Sequence, residues 1–417
     1  MKFFFPDSHD LVDPSFDFTS EERSAGRIRH QHDLYAHEVF PAPPPPPYDG
    51  LLLSKAIVDG TQNGSGKYTS PQRQRLLRTG VRDFFRLGKL PIDVMGDCGA
   101  FAYVREKTPP YSVEEVLDFY EQCRFDHGVS VDHVILGFTT DENTAPLPDD
   151  ELANYKERQE ITLTLARDFL RQHRQRKLPF VAVGVAQGWS PASYAASIAQ
   201  LQKMGYSRIG VGGLVPLKTP EILAALEAME SKRKKGTSLH LFGVTRIDSL
   251  REFQAAGVTS FDSTSPLLHA FKHDSKNYFT PTTEYAAVRI PQVEGNAKLA
   301  ARIRAGQVNQ EYAVRLERTC LKQAAAYGAT GKGLDPLLLT LHEYNELFDG
   351  RKNRTEMYRR TLADAPWRKC KCAICRAIGI HVVLFRGAER NRRRGFHNLA
   401  TIHARLQRKI QAERTRS

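Results

Sequence analysis

The sequence predicts an α/β protein: a (β/α)8 TIM barrel with a C-terminal zinc-binding helical subdomain. Three observations carry this. Eight short apolar runs recur up to residue 262, capped helical patterns separate several of them, and a C-x-C-x-x-C cluster lies near the end of the 417-residue chain. Strands alternating with amphipathic helices read as a parallel sheet, and eight such units are the number that closes a barrel.

The strand candidates are Lys2–Phe5, Gly50–Ser54, Ile92–Met95, His133–Phe138, Phe180–Val185, Arg208–Val211, Leu239–Val244 and Ser260–Asp262. Ser112 and Glu115 make a capping box ahead of Val113, Val116, Leu117 and Tyr120, which share one helical face. Ser190 is the cap of a second helix, with Pro191 in its first turn and Gly205 as its stop. Thr219 and Pro220 repeat the device, and a further helix runs from Asp248 to Gly257. From about residue 283 the rhythm ends: residues 296–328 read as helical, followed by the cysteine cluster and a basic, helix-like tail. The expected domains are therefore a barrel over 1–285, with a stiff proline-rich connector at 41–47, and a basic zinc-binding subdomain over 286–417. No repeat at solenoid or propeller periods is present.

Charge is unevenly placed. Residues 351–417 hold 19 Lys/Arg and 4 Asp/Glu, net +15, whereas the other 350 residues hold 41 and 43, net −2. A basic segment on a near-neutral body is the footprint of nucleic-acid binding. No apolar run is long enough to span a membrane and "MKFFFPDSHD" lacks the apolar core of a signal peptide, so a cytoplasmic, nucleoid-associated protein is expected. Six cysteines, three of them clustered, suit metal binding better than a disulfide framework.

In a barrel the reactive groups lie at the C-terminal ends of the strands. Those ends supply Asp7, Asp97, Asp141, Gln187, Gly212, Gly213 and Asp262. Two carboxylates on one rim can divide the work of nucleophile and acid/base in a glycosyl transfer. "GSGKYT" (64–69) and "GATGKG" (328–333) lack the spacing and the strand-to-helix context of a phosphate loop, which excludes nucleotide hydrolysis. Cys370, Cys372 and Cys375 supply three thiolates, and spacing alone leaves both His381 and His397 open as the fourth ligand. Four protein ligands leave no place for water or substrate, so the metal is expected to be structural.

Together these pieces resemble the tRNA-guanine transglycosylase family. "MGDCGAFAYV" is similar to the family's D-S-G-G-F/Y-Q motif, which implies Asp97 as acid/base and Phe101 as a base-stacking ring; Ala102 stands where the motif has Gln. "VAVGVAQG" implies Gln187 as a base-reading side chain, and "IGVGGLVPL" implies backbone contacts at Gly212, Gly213 and Leu214. "LHLFGV" puts Phe242 at the second stacking position, and "GVTSFDST" implies Asp262 as the nucleophile. "GFTTDEN" offers Asp141 as a second base-reading carboxylate, and "FHNL" matches the family's zinc histidine at His397.

"GGLVPL" looks like the form found in members that take 7-cyano-7-deazaguanine (preQ0), and the N-terminal region resembles the DpdA branch, which places 7-deazaguanines in DNA. The tail after residue 398 leaves no room for a PUA-type RNA-binding domain. The resemblance thus implies a pentosyltransferase that exchanges guanine in double-stranded or locally opened DNA for preQ0 through a covalent Asp–deoxyribose intermediate, with structural Zn2+. It also implies other proteins of a DNA-modification system as partners, and a homodimer. The alternatives are a tRNA-guanine transglycosylase and a non-catalytic, zinc-bearing DNA-binding subunit.

Overall fold

The computed structural model describes residues 1–7, 10–40, 45–60, 67–141 and 145–415. Part of the proline-rich connector and the start of "GSGKYT" lie outside them. Eight parallel strands close a barrel in chain order: β1 (Lys2–Pro6), β2 (Gly50–Ser54), β3 (Asp93–Asp97), β4 (His127–Val129), β5 (Val181–Ala186), β6 (Arg208–Val211), β7 (Ser238–Leu241) and β8 (Val258–Asp262). Closure is made by β1 against β8, with Phe4 opposite Asp262. Phe4, Leu52, Met95, Val129, Val183 and Val185 form a core cluster drawn from five strands, with Phe242 packed on it. Burying this much apolar area is the main force that holds the barrel.

Seven strand expectations overlap the observed strands, and one is corrected. The fourth strand is His127–Val129, not His133–Phe138. The segment Val131–Ile135 is buried as a strand would be, but its backbone bonds to side chains rather than to a neighbouring strand. Thr162 Oγ1 accepts from the His133 N–H at 2.9 Å, Gln187 Oε1 accepts from the Ile135 N–H at 3.2 Å, and Arg158 donates to the Val134 carbonyl at 2.9 Å. Apolar periodicity reports burial, and burial here is met without a ladder.

The helices begin and end near their sequence signals. Val113–Cys123 carries the Ser112/Glu115 box, with the Glu115 N–H donating to Ser112 Oγ at 3.2 Å. Pro191–Met204 stops at Gly205, whose φ of 105° suits only glycine well. Thr219 is the first residue of Thr219–Glu230 rather than its cap, which is Lys218. The Asp248–Gly257 expectation resolves into a 3-10 turn, Ile247–Ser249, and a helix, Leu250–Ala255. "GATGKG" spans the end of Gln310–Thr330 and its cap Gly331, so it joins helix to helix.

Two compact units divide the chain: Met1–His9, Tyr48–Thr264 and Gln407–Ser417 form one; Asp10–Pro47 and Ser265–Leu406 form the other. This differs from the expected 1–285 and 286–417: residues 407–417 fall in the first unit, 265–285 in the second, and so do residues 10–47. There they meet the start of the long helix Gly387–Arg414 through buried ion pairs. Glu21 takes both Arg386 and Arg390, and Glu317 takes Arg386 at 2.7 Å. Burial alone would raise the Glu21 carboxyl, but the two guanidinium groups outweigh it and hold it down at about 2. Arg393 pairs with Glu389 at 2.6 Å, and Arg394 donates to the carbonyls of Val382, Leu384 and Ala270. The basic segment "RGAERNRRRGFH" is mostly helix, with Arg386, Arg390 and Arg393 buried against carboxylates and Arg394 buried with its hydrogen bonds on backbone carbonyls and Asn391. An arginine whose hydrogen bonds are spent inside the protein is not available to a phosphate.

No described helix is long and apolar enough to cross a membrane.

Candidate active site

Asp97 ends β3 and Asp262 ends β8, both at the C-terminal end of the barrel. Just past their strand ends, Gln187 follows β5, Gly212 follows β6 and Phe242 follows β7. Parallel strands bring these sequence-distant positions to one mouth. Asp97 accepts the Gly99 N–H at 3.0 Å. Burial, then the charges of Asp132 and Asp262, push its carboxyl up to about 8. It therefore carries a proton near neutrality.

Asp132 was not singled out by sequence. It lies three residues past β4, is buried, and is the carboxylate that the mispositioned fourth strand concealed. Gln187 Nε2 donates to its Oδ2 at 2.7 Å and the Cys98 thiol to its Oδ1 at 3.1 Å. Burial pushes Asp132 up to about 6 against these hydrogen bonds. Tyr103 in turn donates its hydroxyl to Cys98 Sγ at 3.0 Å. Asp141, in contrast, is exposed in the loop beyond, where its N–H bonds to Thr139 Oγ1 at 3.3 Å; the structure does not bring it into the buried group.

Gly212 and Gly213 let the chain pass against Gln187. A Cβ on Gly212 would lie 2.2 Å from Gln187 Nε2, and one on Gly213, at φ +75°, 2.4 Å from the Ile135 carbonyl oxygen. Tyr194 donates to the Gly212 carbonyl at 2.8 Å, and Leu214 is buried beside them. Phe101, on the 3-10 turn Ala100–Tyr103, remains 49% exposed, while Phe242 sits partly buried on the core. Asp7, also read from the rim, is buried and accepts from the Tyr68 hydroxyl at 2.8 Å.

Asp262 is buried, and its Oδ1 accepts from the Gly243 N–H at 3.1 Å and from His240 Nε2 at 3.2 Å. His240 Nδ1 lies 2.9 Å from Ser260 Oγ. Burial lowers the pKa of His240, which keeps the imidazole neutral. A protonated carboxyl near a second carboxyl held by two donors has the chemistry that an acid and a nucleophile need.

The cysteine cluster belongs to the second unit. Cys370, Cys372, Cys375 and His397 present ligand atoms all within 4.8 Å of one another. His397 Nε2 donates to the Phe279 carbonyl at 2.7 Å, which turns the Nδ1 lone pair toward the thiols at 3.4 to 3.8 Å. Tyr278 stacks on the imidazole at 4.1 Å. A histidine oriented from behind, facing three thiols, fits a tetrahedral metal ion. His381, in the 3-10 turn Gly379–Val383, packs instead against Phe18.

A family sequence model described as queuine tRNA-ribosyltransferase matches residues 135–404. A protein of Salmonella montevideo named DNA-guanine transglycosylase is 47% identical over 411 residues, 98% of this chain and 97% of the relative. The chain belongs to the tRNA-guanine transglycosylase family. It is thus an enzyme of the pentosyltransferase class, and the near full-length relative fits the DpdA-like branch. The barrel and the Cys3His group are features the sequence resemblance led one to expect of a transglycosylase.

Proposed function

We propose that the protein replaces guanine in DNA with 7-cyano-7-deazaguanine through a covalent Asp262–deoxyribose intermediate. DNA as the polymer is supported by the relative named DNA-guanine transglycosylase. The chemistry is carried by one observation: Asp97, pushed up to about 8, keeps a proton to give, while Asp262 has one oxygen fixed by two donors.

The target guanine first leaves the stack and enters the barrel mouth. Phe101 and Phe242 sandwich it. Gln187 and the backbone at Gly212, Gly213 and Leu214 read its edge. Asp132 takes the reading role that the sequence assigned to Asp141, because it is buried and bonded to Gln187. Asp262 Oδ2 attacks C1′, the C1′–N9 bond breaks, and guanine leaves with that electron pair and a proton from Asp97. N9 of the deazaguanine then attacks C1′, its proton passes to Asp97, and the Asp262 carboxylate is released. Two inversions retain the configuration.

Cys370, Cys372, Cys375 and His397 would hold Zn2+ in a closed site that fixes the local fold. With the arginine block buried, Lys369, Lys371 and Arg376, exposed around the cysteines, are the better candidates for phosphate contacts.

Mass spectrometry of nucleosides from DNA and from tRNA, in cells with and without the protein, tests this reading. Deazaguanine is expected among the deoxynucleosides only when the protein is present. Deazaguanine confined to tRNA would replace DNA with tRNA as the substrate.

A further inference from the structure

We infer that His240 is the positioning residue for Asp262: it holds the spectator oxygen Oδ1 so that Oδ2 is the atom that attacks. This rests on the reading of Asp262 as nucleophile. His240 lies on β7 opposite Ser260 on β8. Ser260 and Asp262 are two residues apart on one strand, so their side chains share a face and meet the same ring. The ring is fully buried and held between Phe4, edge-on at 5.5 Å, and Phe242 at 4.8 Å.

The proton count fixes the tautomer. A carboxylate only accepts, so Nε2, 3.2 Å from Asp262 Oδ1, carries the hydrogen. Nδ1 then accepts from the Ser260 hydroxyl, 2.9 Å away. With the Gly243 N–H at 3.1 Å, Oδ1 has two donors, while Oδ2 has no hydrogen-bond partner among the described residues. A carboxylate held by one oxygen cannot rotate the other away from C1′. When the C1′–Oδ2 bond breaks, its electron pair returns to the carboxylate, and the same two donors stabilise the returning charge.

The test compares His240→Phe, His240→Gln, Ser260→Ala and Asp262→Asn in exchange of radiolabelled guanine into DNA, with thermal melting as a check on folding. Phe keeps the ring and loses both hydrogen bonds, so kcat falls about 10- to 100-fold while KM for DNA and for guanine stays within about twofold. Gln can place an amide N–H where Nε2 stands and recovers most of the loss. Ser260→Ala, which frees the tautomer, falls between wild type and Phe. Wild-type kcat in His240→Phe, or no recovery in His240→Gln, overturns the inference. If His240→Phe fails to fold, Gln and Ser260→Ala decide: Ser260→Ala at wild-type kcat, or Gln as inactive as Asp262→Asn, overturns it. Exchange surviving in Asp262→Asn instead overturns the nucleophile assignment itself, which separates the two failures.

Discussion

Replacing Asp97 by Asn should abolish exchange and yet stabilise the protein, by an amount that grows with pH. The carboxyl's usual value is 3.8, and burial with the neighbouring Asp132 and Asp262 charges raises it to about 8. A group whose pKa is higher folded than unfolded gives stability that is complete below its unfolded value and is lost as pH rises to its folded value. At pH 7 the loss is about 4 kcal/mol, and above pH 8 it levels off near about 6 kcal/mol. Asn carries no charge and can still accept from the Gly99 N–H, so it escapes this loss. An unfolding entropy of about 2.1 cal/mol/K per residue over 417 residues converts about 4 kcal/mol into a Tm gain of roughly 5 °C at pH 7. Thermal denaturation of both proteins between pH 4.5 and 8.5 reads this directly. The two Tm values should lie close together at the acid end and diverge toward pH 8. A Tm difference that does not change with pH would refute the reasoning.

Further outcomes follow from the same geometry. Asp132→Asn should impair guanine exchange strongly, about 10-fold or more, whereas Asp141→Asn on its exposed loop should stay near wild type in the same assay; the reverse order would restore Asp141 as the reader. His397→Ala and Cys375→Ser should lose bound zinc on elemental analysis, and His381→Ala should keep it. Glu21→Gln leaves Arg386 and Arg390 buried without their shared carboxylate and should cost about 3 to 5 kcal/mol in urea unfolding near neutral pH. Because Glu21 is held down at about 2, wild type should lose that advantage only as pH falls from about 4.5 toward 2; an unchanged urea midpoint at pH 7 contradicts the clamp.

Much of the site was legible because strand ends carry it. Asp97, Gln187, Gly212 and Asp262 fall at or just after β-strands whose apolar runs are short and bounded by glycine or polar residues. Asp132 was hidden because His133–Phe138 reads as the strand, which puts Asp132 ahead of a strand rather than past the C-terminal end of one; the buried segment Val131–Ile135 has no strand partner. The Thr162, Gln187 and Arg158 side chains that satisfy its backbone come from distant parts of the chain. His240 lay inside an apolar strand, and only the pairing of β7 with β8 brings it to Asp262. The arginine block misled for a related reason: local charge indicates a solvated face unless the counter-charges are known. Here Glu21, more than 360 residues earlier, supplies the carboxylate that Arg386 and Arg390 share. Spacing left His381 and His397 open and the resemblance pointed to His397; the fold adds the reason, a Phe279 carbonyl from another segment that turns His397 toward the thiols.

The most direct test of the account is intact-mass analysis of the protein after incubation with a guanine-containing DNA, in wild type and in Asp262→Asn. Wild type should show a covalent protein–DNA species that disappears when excess free guanine or 7-cyano-7-deazaguanine is added, and Asp262→Asn should show none. An adduct of undiminished yield in Asp262→Asn would contradict the central claim that this carboxylate carries the sugar between the two bases.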